Sequence, residues 1–357
     1  MKNTRFLIAS GGTGGHFYPG FALGKALHSQ GNDVLFVVRQ NDPAISTLAF
    51  NGLAYEQIDL KGLPRSLNPI QHIRFASKLV KALMQTRKII KSFRPNVTLG
   101  MGGYVSFPLI FCSHFMGIRT TVHESNAIWG LSNKICATFA DLRLMGLPMQ
   151  KTFKNAILSS TPIRKEFGEQ VSRQEVLSQL GLKADVSTIL IVGGSQGAKG
   201  LNEALPQVIK NNPQWQFIHL TGKRWYEQQQ TAYHGLSNVK TLAYSEEIYK
   251  LMKSVDLIIC RSGASTLAEI IACHLPAILV PFPYAAANHQ YFNAKVLADA
   301  GCATVVLEGP QFTSQLGKAI SALTSEKIVT MRHAYEELDV PNPLQATRQI
   351  TELLTQL

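Results

Sequence analysis

Short runs of β-branched and aliphatic residues alternate with longer segments whose apolar positions recur at helical spacing, along nearly the whole chain. The runs predict strands at 6–9, 33–38, 55–60, 96–99, 120–122 and 156–160. A second series follows at 188–192, 215–220, 239–241, 256–260, 277–280 and 304–306. Helices are predicted at 19–27, at 70–93 up to Arg94-Pro95, from Ala198 onward and at 345–357. Strand feeding helix in this way gives parallel sheets covered on both faces, an α/β fold. At 357 residues the chain exceeds one core, so two doubly wound Rossmann-like domains are expected, 1–160 and 161–340. The helix at 341–357 then closes the chain by packing back towards the N-terminal domain. Two halves with glycine turns at their strand ends imply a cleft.

The first apolar run breaks into Gly11-Gly12-Thr13-Gly14-Gly15-His16. A strand that enters a helix through such a turn aims backbone N–H groups and the helix dipole at one spot, where an anion or a sugar oxygen is held. His16 stands at that spot. A second turn of this kind is Gly100-Met101-Gly102-Gly103-Tyr104, and residues 120–122 run into His123-Glu124-Ser125-Asn126. Ligands of open parallel sheets bind beyond the carboxyl ends of strands, so His16, Gly102, Gly103 and Asn126 converge on one edge.

Charge changes the picture. The net +12 lies wholly in residues 1–160, which hold 18 Lys and Arg against 6 Asp and Glu, while the remainder balances 17 against 17. An anionic partner for the first half follows. The predicted helix at 70–93 carries Arg74, Lys78, Lys81, Arg87, Lys88 and Lys91, a pattern suited to packing on the sheet or to lying on anionic lipid. It lacks the aromatic interleaving of a nucleic-acid surface, so no nucleic acid is expected. Five widely spaced cysteines with no C-x-x-C pair read as buried thiols of a reducing compartment. The apolar run after Arg5 is too short for a signal peptide, and none is long enough to span a bilayer, so a cytoplasmic protein is expected.

The dinucleotide fingerprint is not completed, since Phe17 takes its last glycine position and the second strand ends in Arg39 rather than an acid. The phosphate loop of nucleoside triphosphatases is absent, as is an Asp-x-Asp pair for a divalent ion. No metal and no cofactor are expected. Diphosphate chemistry would rest on backbone N–H groups, helix dipoles and Arg164. The densest polar cluster lies in the second half, where Ser262, Gly263, Ala264, Ser265 and Thr266 would meet a phosphate at a helix N-terminus. Glu269 suits the hydroxyls of a ribose. Gln290 and Asn293, three apart, share a face that reads sugar hydroxyls.

Together these motifs, with Gly193-Gly194-Ser195-Gln196-Gly197 and His289-Gln290, closely resemble the N-acetylglucosaminyltransferases that complete the lipid-linked disaccharide precursor of bacterial peptidoglycan. They run in that family's order from residue 11 to about 294. The resemblance implies a glycosyltransferase-B fold of family 28 type. It implies UDP-N-acetylglucosamine as donor and an undecaprenyl-diphosphate-linked muramyl-pentapeptide as acceptor. The implied place is the cytoplasmic face of the bacterial inner membrane, peripherally bound to an anionic surface. By position, Arg164, Ser195 and residues 262–266 fall at the nucleotide and phosphates, Glu269 at the ribose and Tyr244-Ser245 at the uracil. His289, Gln290 and Asn293 fall at the sugar, with Thr13, Gly14, Gly15 and Asn126 reaching it. Gly12, Gly15, Gly102, Gly103 and Tyr104 fall at the acceptor diphosphate.

The implied reaction is one inverting displacement on the 4-hydroxyl of the muramyl residue, which needs a base and charge stabilisation for the departing diphosphate. His16 is the first candidate base and Glu124 the second. Within enzymes, the alternative is a soluble UDP-N-acetylglucosamine epimerase of the same architecture.

Overall fold

The computed structural model describes residues 4–12, 14–60, 62–64, 68–194 and 196–357. The chain divides into two compact units, Met1–Arg164 with Val340–Leu357, and Lys165–Asp339. The first unit is built on β1 (Arg5–Ala9), β2 (Asp33–Arg39), β3 (Ala54–Ile58), β4 (Val97–Gly100), β5 (Arg119–Glu124), β6 (Leu142–Met145) and β7 (Ala156–Leu158). These form one parallel sheet in the order β3-β2-β1-β4-β5-β6-β7. Between them run α1 (Gly14–Ser29), α2 (Ala44–Phe50), α3 (Pro69–Phe93), α4 (Ser106–Phe115) and α5 (Leu131–Cys136).

Phe6, Leu7, Ile8 and Ala9 read as an unbroken apolar run because β1 is covered on both faces. With side chains alternating, Phe6 and Ile8 join Phe36, Leu99 and α1 in one core, while Leu7 and Ala9 join Val37, Ile58 and α3 in another. The C-terminal helix Pro343–Thr355 adds Ala346, Ile350 and Leu354 to the α1 side. Strand order reverses between β1 and β4, so the crevice beyond their carboxyl ends is the ligand position of this sheet.

The second unit repeats the plan with β8 (Thr188–Val192), β9 (Gln216–Leu220), β10 (Val239–Leu242), β11 (Leu257–Cys260), β12 (Ala277–Leu279) and β13 (Ala303–Val305). The order is β10-β9-β8-β11-β12-β13, all parallel, with its reversal between β8 and β11.

Three details differ from the sequence reading. Helix α1 starts at Gly14 and runs through Pro19, instead of starting at Pro19. Ser10 ties this early start down: its hydroxyl lies 3.1 Å from His16 O and 3.2 Å from Phe17 O. Strand β6 gave no signal, because Arg143 interrupts its short apolar stretch; the guanidinium turns aside to donate to Ala137 O at 2.6 Å. Of the cysteines, Cys136, Cys260 and Cys302 are buried but Cys112 and Cys273 only half so. Burial pushes the Cys136 and Cys273 thiols up to about 12, which makes them inert.

One core residue makes stability depend on pH. His219 on β9 is fully buried, with Nδ1 2.7 Å from the Tyr233 hydroxyl, and burial pushes its pKa down to about 3. Unfolding returns it to about 6.5, so the unfolded state binds the extra proton between these values. Its contribution is whole above about pH 6.5 and is lost as pH falls towards 3. Replacing His219 and Tyr233 together by Phe is expected to remove about 3 kcal/mol of the stability lost between pH 6.5 and 4. Denaturant unfolding across that range measures it, and an unchanged pH slope would refute it.

Candidate active site

The β1 and β4 turns meet at the reversal point of the first sheet. Gly102 has φ +105°, and a Cβ there would lie 2.8 Å from His16 Nδ1, so the imidazole packs directly against this glycine. His16 Nδ1 is buried and takes no hydrogen bond among the described residues. The residue as a whole is half-buried and lines the cavity at this turn. Gly14 and Gly15, the first residues of α1, carry N–H groups that no intrahelical carbonyl can pair.

Two of the expected N–H donors are already used. Gly12 N donates to Asp42 Oδ2 at 2.8 Å, and Gly102 N donates to Ser106 Oγ at 2.9 Å. Both N–H groups thus already have a partner in the fold. The N–H groups of Gly103 and Tyr104 take no partner among the described residues. The Tyr104 ring lies against Gly62, where a Cβ would come within 2.6 Å of it. These groups border a cavity of about 920 Å³ that also meets Arg39 and Lys78.

Glu124 ends β5 and is 1% exposed. Its Oε1 accepts from Asn126 N at 3.0 Å and Asn126 Nδ2 at 2.8 Å, and its Oε2 from Gly130 N and Asn133 Nδ2, both at 3.0 Å. Four donors fill the carboxylate, which leaves no open lone pair for a hydroxyl proton and argues against the second candidate base. Glu124 instead fixes Asn126. Beside it, His123 is fully buried with Nε2 2.9 Å from Ser160 O, and burial holds its pKa below the usual imidazole range. Asn133 sits on α5 and also donates to His123 O at 3.0 Å. Sequence reasoning missed it, because α5 is a six-residue helix without a strong pattern.

In the second unit, the helix Ala264–Cys273 begins beyond β11, at the reversal point of that sheet, with Gly263 as its N-cap. Ser265 Oγ, in its first turn, is buried with no hydrogen-bond partner among the described residues. Ala264 is buried, Thr266 and Glu269 half-buried. Two predicted ligand residues also make bonds within the unit. Ser262 is buried and donates from its hydroxyl to Gln290 O at 2.7 Å; Asn293 is buried and donates to Ser262 O at 3.0 Å. They lash the helix His289–Asp299 to the turn before Gly263, because a buried polar group needs a partner. Gln290 does both: its Oε1 accepts from Phe282 N at 2.9 Å, while its amide nitrogen has no partner among the described residues. His289 Nδ1 lies 2.9 Å from Ala286 O, next to Ala287 and Asn288 at φ +50° and +55°. Tyr244 is exposed, Ser245 half-buried, and Arg164 half-buried at the end of its unit. Thr13 and Ser195, like Lys61 and Arg65 of the loop before α3, lie outside the described residues.

The chain matches the glycosyltransferase family 28 N-terminal domain over residues 6–144 and the family 28 C-terminal domain over 188–341. A relative from Elusimicrobium minutum is 46% identical over 99% of both chains. Its name is UDP-N-acetylglucosamine--N-acetylmuramyl-(pentapeptide) pyrophosphoryl-undecaprenol N-acetylglucosamine transferase. The solved structure of Acinetobacter baumannii MurG superposes with a TM-score of 0.81 at 26% identity, covering 99% of this chain and 100% of that one. A putative UDP-N-acetylglucosamine 2-epimerase from Listeria monocytogenes shares the fold alone, with a TM-score of 0.70 at 12% identity over 100% of this chain and 97% of that one. The two glycine turns, the Glu124 clamp and the second unit's helix N-terminus thus stand in a member of glycosyltransferase family 28, to which this chain belongs.

Proposed function

We propose that this protein transfers N-acetylglucosamine from UDP-N-acetylglucosamine to the 4-hydroxyl of the muramyl residue of undecaprenyl-diphosphate-linked muramyl-pentapeptide. The observation that carries this reading is the relative at 46% identity over 99% of both chains, whose name states the donor, the acceptor and the sugar transferred. Fold alone would not choose, since the epimerase shares it.

In this reading the acceptor oxygen attacks the anomeric carbon as the bond to UDP breaks, with inversion. The hydroxyl proton passes to His16 Nε2, and the electron pair of the broken bond leaves with UDP. Glu124 acts at one remove, by holding Asn126 and Asn133. The first turn of the helix Ala264–Cys273, with the unpartnered Ser265 hydroxyl, stabilises the charge that develops on the departing diphosphate. Glu269 takes the ribose hydroxyls. Glu269→Ala is expected to raise KM for the donor by about 10- to 100-fold, the loss of a charge-assisted hydrogen bond, and steady-state kinetics at saturating acceptor read it.

Among the described residues no helix is long and apolar enough to cross a membrane. The lipid-linked acceptor is reached from the surface, and α3 supports that. One side of the helix buries Ala82, Thr86 and Ile90. Another leaves Ile70, Ile73, Val80 and Met84 between 55% and 69% exposed, flanked by Arg74, Lys81, Lys88 and Lys91. Apolar side chains ringed by cations suit an anionic lipid surface. Lys78 belongs elsewhere: it donates to both Asp59 oxygens, at 3.0 and 2.9 Å, on the cavity rim. Changing Arg74, Lys81, Lys88 and Lys91 to Gln is expected to weaken binding to anionic vesicles at least about tenfold. It should lower turnover of membrane-embedded acceptor and spare a short-chain soluble one. Equal loss on both acceptors would place α3 in the catalytic fold instead.

UDP release from UDP-N-acetylglucosamine, with and without the lipid-linked acceptor, tests the proposal. Release that requires the acceptor supports it. Sugar epimerisation without acceptor would replace it with the alternative.

A further inference from the structure

Arg39 ended the second strand where a nicotinamide enzyme would have an acid, and nothing in the reaction so far uses it. Its position is set by the fold. β1 pairs with β2 at Ala9↔Val37, so the chain emerging from β2 runs beside the β1 glycine turn. A tight turn follows, with Asn41 at φ +56° and Asp42 N donating to Arg39 O at 3.2 Å. It folds Asp42 back beneath both segments. The Asp42 side chain is 1% exposed and its two oxygens are engaged: Oδ2 accepts from Gly12 N at 2.8 Å and Arg39 Nε at 2.9 Å, Oδ1 from Ala44 N at 3.1 Å. Gly11 is confined by the same carboxylate, since a Cβ there would lie 3.0 Å from Asp42 Oδ2.

One buried carboxylate therefore fixes both the glycine turn and a guanidinium. Only Nε of Arg39 is used. Nη1 and Nη2 have no partner among the described residues, the side chain is 48% exposed, and the residue lines the cavity with His16, Gly103 and Tyr104. Lys78, on the same cavity, already has its ammonium on the two Asp59 oxygens. Arg39 thus offers a planar pair of donors whose orientation is fixed before any ligand arrives, which suits two oxygens of one phosphate.

We propose that Arg39 is a binding residue for the diphosphate of the acceptor, held in place by Asp42 as its positioning residue. The diphosphate would take the Nη1 and Nη2 pair together with the open N–H groups of Gly103 and Tyr104. Asp42 needs both oxygens as acceptors, so Asn in its place would turn an amide donor towards a donor.

The inference rests on the transfer reading above. Two measurements separate its failure from the failure of that reading. In kinetics with lipid-linked acceptor, Arg39→Gln is expected to raise acceptor KM about 10- to 100-fold, with kcat and donor KM within about twofold. Arg39→Lys should recover only part, since an ammonium cannot be held at Nε. With an acceptor analogue whose diphosphate is replaced by an uncharged linker, the Arg39→Gln penalty should vanish. An unchanged acceptor KM, or an undiminished penalty on the uncharged analogue, would overturn the proposal. Calorimetric titration of inorganic diphosphate reads the contact without any transfer. Wild-type protein should bind it more tightly than Arg39→Gln, and equal binding counts against the proposal.

Discussion

Replacing His16 by alanine is expected to lower kcat on the lipid-linked acceptor by about 10²- to 10⁴-fold, with KM for UDP-N-acetylglucosamine within about twofold. The range is that of a lost general base. His16 occupies the first turn of α1, where Gly14 and Gly15 leave the backbone uncrowded, and its ring lies on Gly102 with Nδ1 turned inward. In the proposed reaction the other ring nitrogen, Nε2, takes the proton of the acceptor hydroxyl. Donors from Asn126, Asn133 and Gly130 on the Glu124 carboxylate argue against its taking over. A His16→Ala enzyme within a few-fold of wild type in kcat would remove His16 from the proton transfer.

Gly102→Ala is expected to have an effect of similar kind from a residue with no chemistry of its own. At φ +105° any side chain is strained, and the new methyl would sit 2.8 Å from His16 Nδ1 and 2.9 Å from Cε1. The ring must move, and a displacement of about 1 Å in a catalytic group reduces rate by about 100-fold. Because the damage passes through His16, the double variant with His16→Ala should be little slower than His16→Ala alone. Additive losses would show that Gly102 acts through the turn and not through the imidazole. Circular dichroism and thermal unfolding of each variant separate misplacement from unfolding.

Much of the architecture was legible because parallel α/β sheets write themselves plainly. β1 and β8 each carry an unbroken apolar run that leads into a glycine turn, and both lie at the reversal points of their sheets. The site was legible as residue types but not as commitments. Gly12 and Asp42 are thirty positions apart, and no local pattern announces that the glycine's N–H is spent on that carboxylate. Asn293 and Ser262 look like sugar and phosphate ligands at their spacing, and nothing in that spacing announces the bonds that tie the turn before Gly263 to the helix His289–Asp299. Asn133 was invisible because a single turn-and-a-half helix carries no period. In α3 the opposite happened. Two apolar stripes share one helix, and composition alone cannot tell the buried one from the exposed one.

The proposed reaction is an inverting transfer to one hydroxyl of a lipid-linked muramyl sugar. The most direct measurement is the structure of the product made by purified enzyme from UDP-N-acetylglucosamine and lipid-linked muramyl-pentapeptide, read by mass spectrometry and proton NMR. One N-acetylglucosamine is expected per acceptor, joined to the 4-hydroxyl with the large anomeric coupling of a β-linkage. An α-linkage, attachment at another hydroxyl, or turnover of the nucleotide sugar with no disaccharide formed would contradict it.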